Sequence, residues 1–193
     1  MSPEPQRIWS GEEYLAFERA SDEKHELFEG ELFAMSGASR QHGRICWNVA
    51  TALGPQLRQS GCEGFVSDMR VHVPATGLYT YPDVVVVCGE PAFLDEETPD
   101  TLLNPTLLLE VLSPSTEDYD RGRKFAHYRS LPSLEIFVLI AQDRVHVERF
   151  SRQPDGGWLL EESDDLGSDL ELPGIGATLS LREVYDRVPG LPS

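Results

Sequence analysis

Residues 106–111 read TLLLEV, an apolar and β-favouring run broken by one carboxylate, Glu110, ahead of a turn at Ser113 and Pro114. A carboxylate at such a place costs several kcal/mol if unpaired, or takes up a proton, so a compensating cation is expected close by. Upstream, residues 81–87 read YPDVVVV, a second apolar run with one acid, Asp83, at its start behind a proline. Downstream, Arg121, Arg123 and Lys124 crowd the start of an expected helix. Two isolated acids on neighbouring strands beside a basic helix start can hold a divalent metal against a phosphodiester.

Magnesium takes oxygen ligands in octahedral geometry and commonly uses only one or two protein carboxylates, leaving the other positions to water and phosphate. Asp83 and Glu110 meet that need, and the metal would lower the pKa of a bound water and stabilise charge on the transferring phosphate. Lys124 is the candidate third member, to orient or deprotonate the attacking water or to neutralise developing charge. The plainer readings are that Asp83 caps the preceding turn and that Glu110 only pairs with a basic side chain. Lys124 in turn has Asp120 four residues earlier, the spacing of an ordinary surface pair. Glu31 is placed to approach the same pocket from an expected hairpin, whereas Glu26 and Glu29 read as solvated. His42, at a helix start, is a candidate phosphate contact or metal-shell partner. His25, His72, His127 and His146 have no ligand spacing. Neither a GxSxG elbow nor a phosphate-binding glycine loop is present.

The elements that must position these residues follow from periodicity and breakers. Ser10 followed by Glu13 is a capping-box pattern and predicts a helix over 11–20. HELFEGELFAMSG gives two short alternating runs about Glu29 and Gly30, a tight hairpin. Ile45, Val49, Leu53 and Leu57 recur every four residues, so a helix over 41–59 has one apolar face. Alternation from 64 to 73 predicts one strand ending at Pro74. Residues 90–104 read as a loop, and 117–130 as a helix capped by Ser115 or Thr116. A second hairpin spans 134–141 and 144–150, with weaker strands at 158–162 and 170–172 and a closing helix at 181–187. The alternation predicts an α/β (α+β) architecture, a mixed sheet flanked by helices, in a single domain over 1–193.

The chain of 193 residues, 40% hydrophobic, is long enough to bury about two thirds of its surface. Its net charge is −17, from 33 acids and 16 bases. That balance opposes tight nonspecific binding to nucleic acid, because phosphate contacts need Lys and Arg. The acids cluster, however: four lie in 94–100 and seven in 155–171, leaving the surroundings of Arg121, Arg123, Lys124 and Arg129 open to a local positive field. Cys46, Cys62 and Cys88 form no CxxC pair, so neither zinc nor a disulfide framework is expected, and a reducing cytoplasm fits. The sequence shows neither an apolar run of roughly 18 residues nor a signal-peptide pattern, so no membrane association is expected.

YPDVVVV, LLLEVLSPST, DRGRKFAHYRS and PSLEIFVLI, preceded by HELFEGELFAMSGAS and His42, together resemble the Uma-two family of restriction-endonuclease-like proteins, assigned to the PD-(D/E)xK nuclease superfamily. The resemblance runs most closely from about Trp9 to Phe150. It implies a restriction-endonuclease-like core with an N-terminal helix and hairpin, magnesium on Asp83 and Glu110 with manganese as a possible substitute, and hydrolysis of DNA. The superfamily lysine two residues after the glutamate is replaced here by Leu112, and the family pattern supplies it from the next helix, at Lys124. Glu31 and His42 carry over in the same way. The resulting expectation is a metal-dependent endonuclease with Asp83, Glu110, Lys124, Glu31 and His42 at its catalytic site. DNA is the expected partner against the net charge, and a homodimer would serve to cut both strands. Two alternatives stand beside it: an inactive binding or regulatory protein on the same fold, and a hydrolase of smaller phosphate esters.

Overall fold

The computed structural model describes residues 7–35, 37–114 and 117–192. Ser10 opens α1 (Gly11–Glu18): its hydroxyl accepts from the Glu13 backbone N–H while the Glu13 carboxylate accepts from the Ser10 N–H, the reciprocal cap read from the sequence. β1 (His25–Phe28) and β2 (Glu31–Ala34) form the hairpin, joined by Glu29 at φ 51° and Gly30 at φ 80°. Two successive positive φ values match the right-handed twist of the strands they connect. Ser39 caps α2 (Arg40–Ser60), and Gly61, at φ 73°, ends it.

β3 (Cys62–Val66) and β4 (Arg70–Val73) replace the single strand expected over 64–73. The chain turns at Ser67, whose φ is 51°, and passes from one sheet to another. Alternation continues on both sides of that turn, so the pattern alone could not show the break. β5 (Leu78–Thr80) and β6 (Val84–Cys88) follow, then the short β7 (Thr101–Leu102) inside the expected loop, and β8 (Leu107–Leu112).

The helix expected over 117–130 consists of α3 (Glu117–Tyr119), a π-helical turn over Asp120–Lys124 and α4 (Phe125–Tyr128). Its expected caps, Ser115 and Thr116, lie outside the described residues. β9 (Ile136–Ala141), β10 (Val147–Arg152), β11 (Trp158–Ser163), β12 (Asp169–Leu172) and β13 (Ala177–Ser180) come next. The closing helix α5 is shorter than expected, Leu181–Val184.

Among the described residues the strands form a five-stranded sheet in the order β2-β1-β5-β4-β7, a six-stranded sheet in the order β11-β10-β9-β8-β6-β3, and the pair β12-β13. The expected mixed sheet flanked by helices is therefore present, with a second sheet packed against it. β8 and β9 are parallel and buried along their whole lengths, and the helical segments between them supply the crossover that a parallel pair requires. On one face of the larger sheet, Leu107, Leu109 and Val111 meet Ile45, Val49, Leu53 and Leu57 of α2. On the other, Leu108 and Leu112 pack with Val71 and Leu78 of the five-stranded sheet and with Phe125 and Tyr128. Side chains alternate across a strand, so Glu110 projects onto this second face.

The cysteine reading is corrected. Cys62 and Cys88 are register partners on the antiparallel strands β3 and β6 and form a disulfide, their Cα atoms 4.2 Å apart. The partners sit 26 residues apart in sequence, and only the β3–β6 register brings them together. The pairing also withdraws the cysteine pattern as an argument about compartment. Among the described residues no helix is long and apolar enough to cross a membrane.

Two stability outcomes follow. Reducing the bond that closes this 26-residue separation should cost about 3 kcal/mol, a fall of roughly 6–12 °C in Tm for a chain of this size; an unchanged melting curve in reductant would count against the pairing. Leu53, 1% exposed, should cost about 2–5 kcal/mol when replaced by alanine, read from urea unfolding, while Trp47→Ala, at 66% exposed, should stay within about 0.5 kcal/mol.

Candidate functional site

A cleft of about 1330 Å³ opens where the hairpin, the start of α2, the ends of β6 and β8, and the π-helical turn meet. Asp83 and Glu110 both line it. β6 and β8 run antiparallel with Val84 opposite Leu109, so Asp83, one residue before β6, lies beside Glu110 at the next position of the ladder.

Glu110 is 4% exposed and Lys124 5%. The Lys124 ammonium sits 3.0 Å from Glu110 Oε1, 3.1 Å from Glu26 Oε1 and 3.7 Å from Asp120 Oδ1. The π-helical turn is what brings this about: Asp120 and Lys124, its first and last residues, are both buried. The surface-pair reading of Lys124 is thus corrected, since the lysine and Asp120 are interior and two further carboxylates join them. Tyr128 donates its hydroxyl to Glu110 Oε1 at 2.7 Å.

Burial raises the Glu110 pKa above the ordinary carboxylate range, with the Lys124 charge opposing and the Asp120 and Asp83 charges reinforcing. For Lys124, burial works the other way, but the neighbouring Glu110, Tyr128, Glu26 and Asp120 outweigh it and hold the ammonium well above the usual lysine value. Lys124 is therefore a fixed cation among three carboxylates.

Asp83 is held through one oxygen. Its Oδ2 accepts the Val111 backbone N–H at 2.7 Å and lies 3.1 Å from His42 Nε2. His42 stands in the first turn of α2, its backbone N–H donating to the Ser39 cap. Burial opposes the imidazolium, and the bond and charge of Asp83 more than offset this, so the His42 pKa is raised. The other ring nitrogen, Nδ1, lies 3.5 Å from Cys46 Sγ.

Four of the five expected site residues, Asp83, Glu110, Lys124 and His42, converge. Glu31 is exposed at the cleft, and no contact links it to the carboxylates of Asp83 or Glu110 among the described residues. Glu26, on the inner strand two residues from Phe28, the register partner of Glu31, takes the interior place: it is 8% exposed, contacts Lys124 and accepts from the Thr80 hydroxyl. Sequence reasoning left Glu26 in solvent because its burial depends on the five-stranded sheet closing over it. Cys46 carried a readable signal, standing four residues after His42 on the same helix face.

The donor set suits a divalent cation. Three carboxylates surround one ammonium, and Asp83 adds a fourth beside them, so the cluster has acidic oxygen in excess of its own counter-charge. Asp83 and Glu110 would supply the oxygens for a hard ion such as magnesium.

A family model, Uma2, described as "Putative restriction endonuclease", matches residues 11–182. Two uncharacterized proteins of Synechocystis sp. are similar. The first, slr1290, is 37% identical over 179 residues, covering 91% of this chain and 90% of that protein. The second, sll1609, is 36% identical over 165 residues, covering 86% and 93%. A crystal structure described as a putative nuclease belonging to DUF820, from Anabaena variabilis, matches with a TM-score of 0.69 at 18% identity, over 83% of this chain and 89% of that one, a likeness of fold. The model match across nearly the whole chain and relatives more than a third identical establish that the chain belongs to the Uma2 family.

Proposed function

We propose that the protein is a magnesium-dependent nuclease that hydrolyses DNA phosphodiester bonds at the Asp83–Glu110 pair. The observation that carries the reading is the buried cluster of Glu110, Lys124, Glu26 and Asp120 beside Asp83 on the wall of an open cleft. Asp83 and Glu110 would hold the ion, which when bound lowers the pKa of a water and offsets phosphate charge. His42 and the Val111 N–H fix Asp83, and the Tyr128 hydroxyl fixes Glu110, so both carboxylates present a defined oxygen without reorganising. Lys124, with its proton tightly held, serves as a charge that stabilises the phosphorane-like oxygens rather than as the base that takes the proton.

One observation favours a second reading. Seven carboxylates and three lysine or arginine side chains line the cleft, an acidic wall that repels a polyanion and suits a small phosphate ester touching only the pocket. Plasmid nicking and hydrolysis of a small phosphodiester such as bis-p-nitrophenyl phosphate, measured on the same preparation, separate the two.

Calorimetric titration of magnesium or manganese into the protein is expected to show binding that Asp83→Ala and Glu110→Ala each weaken at least tenfold, with nicking lost in parallel. Binding unchanged by either substitution would remove the site. Lys124→Met leaves Glu110 and Glu26 buried without their cation, which should cost about 3–5 kcal/mol in metal-free buffer and lower turnover on the order of 100-fold. Magnesium should restore part of the lost Tm; indifference of that variant to magnesium would argue against a metal at this cluster.

A further inference from the structure

The residues proposed to hold magnesium do not use everything that gathers at the start of α2. His42 and Cys46 stand four residues apart on one helical face and both line the cleft. Together with Asp83 they bring a ring nitrogen, a sulfur and a carboxylate oxygen to within 4.8 Å of one another. The individual approaches are 3.1 Å from His42 Nε2 to Asp83 Oδ2 and 3.5 Å from Cys46 Sγ to His42 Nδ1. A tetrahedral ion bonded at about 2.0–2.3 Å keeps its ligand atoms roughly 3.3–3.8 Å apart; the two contacts use opposite nitrogens of the ring, so an ion would take one of them, and the remaining ligand atom, within 4.8 Å, would close by side-chain rotation.

We propose that His42, Cys46 and Asp83 form a site for a thiophilic dication of the zinc class, and that its occupant competes with magnesium for Asp83. Three facts of chemistry support it. A thiolate beside an imidazole is a poor set for magnesium and a good one for zinc or cobalt. Thiolate and carboxylate together supply two negative charges, which a dication neutralises. Three protein ligands leave a fourth position open toward the cleft, as in catalytic rather than structural zinc sites. The spacing of His42 and Cys46 is the one-turn separation with which a helix presents two ligands to one ion. The inference rests on the reading above only in that Asp83 is shared; Glu110 and Lys124 take no part.

Because Cys62 and Cys88 are bonded to each other, Cys46 is the free cysteine of the three in the chain, and any thiolate–metal signal reports on it. Cobalt titrated into the oxidised protein without magnesium is expected to give a near-ultraviolet thiolate charge-transfer band saturating at one equivalent. The band should vanish in Cys46→Ser and weaken at least tenfold in apparent affinity in His42→Gln. In the native protein, zinc should slow alkylation of Cys46 at least tenfold, a measurement that needs no variant to fold. Glu110→Ala should lose magnesium binding and keep the cobalt band. A band without magnesium binding in the native protein would sink the nuclease reading and with it the competition for Asp83, and leave the three-ligand site standing. Absence of the band from the native protein, its survival in Cys46→Ser, or alkylation indifferent to zinc would each overturn the site.

Discussion

A carboxylate in the middle of an otherwise apolar, fully buried strand has to be met by positive charge, and much of the molecule is arranged to meet it. Glu110 lies on the face of β8 that packs against the second sheet. The cation cannot come from β8 itself, since Leu112, the next residue on that face, is part of the apolar core. It comes from the crossover, where the π-helical turn carries Lys124 into the interior and Tyr128 adds a hydroxyl one turn later. Widened turns of this kind recur at functional sites because the extra residue re-aims a side chain that regular helix would leave elsewhere. The balance is then overshot from the acidic side by Glu26 and Asp120, which distinguishes a charge cluster able to take a further cation from a simple buried ion pair.

The two sheets divide the work. The larger one, with α2 on its far face, provides the rigid ladder that sets Asp83 beside Glu110. The smaller one brings the hairpin over the same strand ends, so that Glu26 and the Thr80 hydroxyl close the cluster from above. A second buried polar chain anchors that smaller sheet. Arg70 donates to the Tyr81 hydroxyl and to Thr101, and Tyr81 donates to Glu18, which also meets His25. Polar groups in such an interior are satisfied by each other, which fixes how the sheet seats against the core.

Much of this was legible from local pattern. The apolar face of α2, the capping box at Ser10, the hairpin about Glu29 and Gly30, and the isolated acids of β6 and β8 are all short-range signals, and each names its element without reference to the rest of the chain. What stayed hidden depends on pairing between distant segments. Glu26 alternates with apolar neighbours as any half-exposed strand would, and only sheet packing shows which side is interior. Cys62 and Cys88 meet through the β3–β6 register, and the strand break at Ser67 is a change of sheet inside an unbroken alternation. The π-helical turn leaves no periodic trace because five residues are too few to shift a pattern. Cys46 is readable by its helical distance from His42, a spacing that comparing the three cysteines with one another does not show.

The parallel pairing of β8 with β9 also constrains how the chain reaches this state. Leu107 lies opposite Ile136 and Leu112 opposite Ala141, so every contact in that ladder joins residues 29 apart in the chain. Loop-closure entropy must be met before such contacts return anything, which makes high-separation parallel ladders slow to form. Lys124 travels inside the very segment that has to fold back. Until it does, Glu110 has no cation and no reason to leave water, and once it does, desolvation and neutralisation arrive in one step. The residue that the interior tolerates least is thereby coupled to a long-range ladder, since the segment that closes β8 against β9 is the one that carries its cation.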